Sequence, residues 1–78
     1  MEENAVKVLD YKGLACPMPV VRISRDIKTV DVGQVVEVNT TDPGSLADFP
    51  AWAKNAGQEI VGSKQENGII RIFVKRVK

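Results

Sequence analysis

Two prolines in three residues, Cys16-Pro17-Met18-Pro19, restrict this chain more than any other feature of its sequence. A proline has no amide hydrogen, so a helix tolerates it only in the first turn, where the amides lack intrahelical partners anyway. A helix must therefore begin at or just after Cys16. Downstream, Val20, Ile23, Ile27 and Val30 recur at spacings of three, four and three, while Arg22, Arg25, Asp26 and Lys28 fall elsewhere. That pattern predicts an amphipathic helix over about 17–30. Upstream, the imperfect alternation of AVKVLD predicts a strand over about 5–10, with Gly13 permitting the turn that joins them.

The remainder is read in the same way. Residues 35–40 (VVEVNT) alternate and are β-branched, the mark of a second strand. Residues 41–45 (TDPGS) are dense in turn formers. Because Pro50 inside a regular helix would cost about 3 kcal/mol, the expectation is a short turn at 42–47 and a helix capped by Asp48, with Pro50 in its first turn. This helix runs to Ala56 and ends on a left-handed Gly57. A third strand at 59–65, an Asn67-Gly68 hairpin turn and a fourth strand at 69–77 complete the order β-α-β-α-β-β. Strand-helix alternation favours parallel neighbours and the closing hairpin requires an antiparallel pair, which makes the sheet mixed. Two helices cover one face, and Arg71, Phe73 and Lys75 are expected on the other, solvated face.

Seventy-eight residues make one small domain, 1–78, with a modest core and chemistry confined to its surface. One cysteine and no histidine exclude an internal disulfide, zinc-finger ligand sets, Ser-His-Asp triads and Cys-His pairs. No metal-ligand set or cofactor motif is present. A net charge of +1 lacks the basic balance that phosphate neutralisation calls for, so direct nucleic-acid binding is not expected. The basic cluster Lys75, Arg76 and Lys78 reads most simply as a solvated strand end. Without a long apolar run or an apolar segment after the acidic start, neither a membrane span nor a secretory signal is expected; a reduced, cytoplasmic setting suits the lone thiol.

Cys16 admits two readings. Free cysteine is often a small buried hydrophobe. At the start of a helix, however, unpaired amides and the positive end of the dipole favour a thiolate, lowering a pKa near 8.5 by less than about one unit. A connection stiffened by Gly13, Pro17 and Pro19 presents a side chain rather than packing it. With no histidine to shuttle protons, multistep hydrolysis is disfavoured, whereas sulfur exchange needs only a nucleophile, access and a partner. Arg22 and Arg25, about 9 and 13 Å along the helix rise, suit attraction of an acidic partner better than tuning of the sulfur.

Leu9-Asp10, Gly13 and Cys16-Pro17-Met18-Pro19, followed by Thr41-Asp42-Pro43, Asp48, Trp52 and Gly57, resemble the TusA/SirA family of small sulfur carriers across nearly the whole chain. Gln58 departs from that pattern, in which histidine is common after the glycine. The resemblance implies a two-layer α/β sandwich with a four-stranded sheet in the order 1-2-4-3, strand 4 running against the others. It also implies that Cys16 carries sulfane sulfur as a persulfide, a sulfurtransferase-type role performed only with partner proteins. The donor would be a cysteine desulfurase or rhodanese-like protein and the recipient a DsrE-like or other acceptor, serving tRNA thiolation, molybdenum-cofactor maturation or sulfur oxidation. In this reading Gly13, Pro17 and Pro19 support the motif, and Arg22, Arg25 and Asp42 are candidate partner contacts. The alternative is a regulatory module that binds nucleic acid or protein without sulfur chemistry: the element order also resembles the C-terminal domain of translation initiation factor 3, and Phe73 on the open face could stack a base.

Overall fold

The computed structural model describes residues 5–15 and 17–78; Cys16 lies outside the described residues. The elements follow the expected order: β1 (Ala5–Tyr11), α1 (Met18–Asp26) continued by a 3₁₀ turn (Ile27–Thr29), β2 (Val35–Thr40), α2 (Ser45–Ala56), β3 (Glu59–Glu66) and β4 (Ile69–Lys75). The sheet order is β1-β2-β4-β3. β1 and β2 are parallel, and β4 runs antiparallel to both β2 and β3. Asn67 and Gly68 both take positive φ, 50° and 78°, the backbone that a two-residue hairpin matched to strand twist requires. Asparagine and glycine adopt it with the least strain.

One core lies between the sheet and the two helices. Val36 and Val38 of β2 and Ile70, Ile72 and Val74 of β4 meet Ile23 and Ile27 beyond them, with Phe49 from α2. Each such side chain contributes about 1.5–3 kcal/mol when fully buried. The stripe anticipated on α1 is present, with Val20 packing against the core and the rigid Pro19 buried beside it.

Three expectations change. First, α2 starts at Ser45, not at Asp48, and Pro50 is its sixth residue. The start is made by the turn before it: Asp42 Oδ1 accepts from the Gly44 amide at 3.1 Å, and its carbonyl accepts from Ser45 at 3.0 Å. Ser45, Phe49 and Ala53, spaced by four, are buried on one face, while Pro50 faces solvent. Their packing offsets the missing amide. Second, Phe73 on the open face is only 3% exposed. Arg71 covers it at 5.8 Å from the ring centre, itself held by both carboxylate oxygens of Glu37 (3.0 and 3.2 Å) and by Glu66 (3.1 Å). A buried ring offers no stacking platform, which removes the structural basis for base recognition there. Third, β4 ends at Lys75, and Arg76 is no free cation: its guanidinium donates to the Val30 carbonyl at 2.6 Å and to the Lys78 carbonyl at 2.7 Å. Gln58, the departure noted in sequence, fastens the same segment by accepting from the Val77 amide at 2.6 Å.

Candidate functional site

The connection from β1 to α1 carries the Cys-Pro-x-Pro motif, and its described residues are tied down on both sides of it. Lys12 donates its amide to Asp10 Oδ1 at 3.1 Å, and Leu14 donates to the Tyr11 carbonyl at 3.1 Å. Gly13 takes φ 85°, a left-handed backbone suited to glycine, and its amide reaches Thr41 Oγ1 at 3.1 Å. The connection is thereby joined to the end of β2. Leu14 is half-buried against the core, whereas Ala15 and Pro17 are exposed. The Met18 amide donates to the Ala15 carbonyl at 2.8 Å, and Pro17 occupies the N-cap position of α1 with Pro19 inside the first turn. No side chain caps this helix start and no acidic residue lies in its first turn. The first turn of α1 thus contributes no countercharge of its own to the positive end of the helix.

The candidate contacts fall into different environments. Arg25 is exposed. Arg22 is half-buried: its guanidinium sits 5.7 Å above the centre of the Tyr11 ring, and its Nε is buried without a hydrogen-bond partner among the described residues. It is thus a packed cation rather than part of a solvated face. Asp42 is half-buried and uses Oδ1 in the turn before α2, while Oδ2 is buried without a hydrogen-bond partner among the described residues. Among the described residues, Asp42 is linked to the motif's connection through its neighbour Thr41, which Gly13 contacts.

Sequence reasoning missed a groove of about 360 Å³ between the start of α1 and the outer side of α2, lined by Pro17, Val20, Asp48, Ala51, Trp52 and Asn55. Phe49 is fully buried, but Trp52, packed edge-on against it at 6.3 Å, is only half-buried and forms one wall of this groove. Met18 and Val21 of α1 and Leu46 of α2 are further exposed apolar side chains, with exposures of 43%, 48% and 39%. The spacing of Trp52 and Asn55, three apart on one helix, was the available signal; it needed Pro17 opposite to become a groove. Among the described residues no group of His, Cys, Asp and Glu could hold a metal ion, and no helix is long and apolar enough to cross a membrane.

Comparison with known proteins bears on the whole chain. A family described as "Sulfurtransferase TusA" matches residues 7–76. The chain is 47% identical over 73 residues to the putative sulfur carrier protein YrkF of Bacillus subtilis, covering 94% of this chain but only 40% of that protein. It is 43% identical over 68 residues to the sulfur carrier protein TusA of Allochromatium vinosum, covering 87% of this chain and 90% of that one. The fold is similar to the crystal structure of a SirA-like protein from Desulfitobacterium hafniense, with TM-score 0.78 and 23% identity over 94% of this chain and all of that one.

Proposed function

We propose, given that this chain belongs to the TusA family of sulfur carriers, that Cys16 accepts one sulfane sulfur as a persulfide and hands it to the thiol of an acceptor protein. The observation that supports this most is that Ala15 and Pro17, the neighbours of Cys16 in the chain, are exposed at the head of a helix whose first turn holds no acid.

Loading is an exchange at sulfur. The Cys16 thiolate attacks the outer sulfur of a donor persulfide, a bond forms between Cys16 Sγ and that sulfur, and the donor cysteine leaves as a thiolate. Discharge repeats the step with the acceptor thiolate as nucleophile and Cys16 as leaving group. No net oxidation occurs and no general base is needed beyond what keeps the attacking thiol ionised. The chain holds no second cysteine to attack its own persulfide, so release depends on the partner. A cysteine desulfurase or rhodanese-like protein fits the donor side and a DsrE-like protein the acceptor side. The exposed Arg25, the packed Arg22 and the apolar surface of Met18 and Val21 supply contacts for them beside the motif, with Asp42 holding the neighbouring turn.

The test is the intact mass of the reduced protein after incubation with a cysteine desulfurase and cysteine, or with a rhodanese and thiosulfate. A gain of one sulfur that reductant removes and that Cys16→Ser never shows is the expected result. An alkylatable Cys16 that gains no sulfur from either donor would count against the carrier reading.

A further inference from the structure

Tyr11 is the largest side chain fully buried in the described structure, yet it ends in a hydroxyl. Burying a hydroxyl is unfavourable unless it is hydrogen-bonded. This one donates to Asp26 Oδ2 at 2.5 Å, a short charge-assisted bond. Burial, followed by the bond to Asp26 and its charge, holds the phenol well above its ordinary pKa, against the lowering influence of Arg22 and Arg25, so it remains the donor. The Arg22 guanidinium roofs the same ring. Both partners lie one turn apart on α1.

Tyr11 is also the last residue of β1, and its carbonyl receives the Leu14 amide. A single residue therefore stands covalently at the entrance of the 12–17 connection and is fastened by its side chain to the helix at the exit. Aliphatic core contacts resist separation of strand and helix but are non-directional. A hydrogen bond at 2.5 Å also fixes orientation. From this cross-link we infer that Tyr11 is a positioning residue for Cys16: through Asp26 and Arg22 it sets where β1 ends relative to α1, the two elements joined by the connection that carries Cys16. The inference rests on the reading of Cys16 as the sulfur-bearing residue.

The experiment measures the alkylation rate of Cys16 by iodoacetamide from acid to alkaline pH in the full chain, alongside thermal melting. The variants are Tyr11→Phe, Asp26→Leu and Asp26→Asn, with Ile23→Val as a helix-core control. Tyr11→Phe and Asp26→Leu are expected to change the plateau rate several-fold and to move the pH midpoint. Asp26→Asn, which keeps an acceptor for the phenol, should retain the wild-type profile, and Ile23→Val should lower the melting temperature without altering the profile. Should Tyr11→Phe fold poorly, the contrast between Asp26→Leu and Asp26→Asn decides. Profiles that superimpose on wild type, or that shift equally in Ile23→Val, would overturn the inference. Alkylation requires no sulfur donor, so a wild-type chain that never loads sulfur would defeat the carrier reading separately from this comparison.

Discussion

The two helices begin in opposite ways. At the start of α2, Asp42 bonds the Gly44 amide and Asp48 sits in the first turn, so carboxylates meet the positive end of the helix. Among the described residues, the first turn of α1 holds no acid and no capping side chain, and Pro17 and Pro19 have no amides to satisfy. The first arrangement stabilises the fold; in the second, the helix that follows the only cysteine has no first-turn acid of its own. The difference teaches that the helix after the motif lacks the first-turn carboxylate that the other helix has.

Substitutions can break this contrast. The largest effect is expected from Phe49→Ala, because α2 accommodates Pro50 through packing on its buried face: the loss should be about 3–5 kcal/mol by denaturant unfolding. A loss below that of an exposed alanine substitution would show that α2 does not depend on this anchor. Next, Asp42→Ala removes the bond to Gly44 and should cost about 0.5–2 kcal/mol, with Cys16 alkylation unchanged, since the effect belongs to the other helix. The smallest change, and the sharpest, is Met18→Asp, which gives α1 the first-turn acid it lacks at an exposed position. The carboxylate should raise the Cys16 pKa by up to about one unit, slowing alkylation near neutral pH while leaving stability equal or slightly higher by about 0.3–1 kcal/mol. An unchanged alkylation profile would mean that the acid-free start does not act on the thiol.

Much of this was legible in the residues. Alternation in β2 and β4, the Asn67-Gly68 turn and the paired prolines are local signals, and local signals placed the strands, the hairpin and the start of α1. The sequence pattern starts α2 too late because the cost of a helix-interior proline is local, whereas the packing of Ser45, Phe49 and Ala53 that offsets it exists only once the helix meets the sheet. Phe73 alternated correctly onto the open face, but its cover comes from Arg71, whose position is set by Glu37, 34 residues away in the chain. The Tyr11–Asp26 bond spans 15 residues, and the groove at Pro17 and Trp52 needs two helices side by side. Contacts of that kind have no periodicity to betray them. The motif itself was legible because its chemistry is written in adjacent residues.

The most direct test of the relay is discharge. The chain is first loaded with one sulfur and freed of its donor, then mixed with a DsrE-like protein containing a reactive cysteine, and both intact masses are followed. The account predicts that this chain loses one sulfur as the acceptor gains it, with no transfer when the acceptor cysteine is blocked. A persulfide that stays on Cys16 beside open acceptor thiols, and leaves only on adding a small reductant, would contradict it.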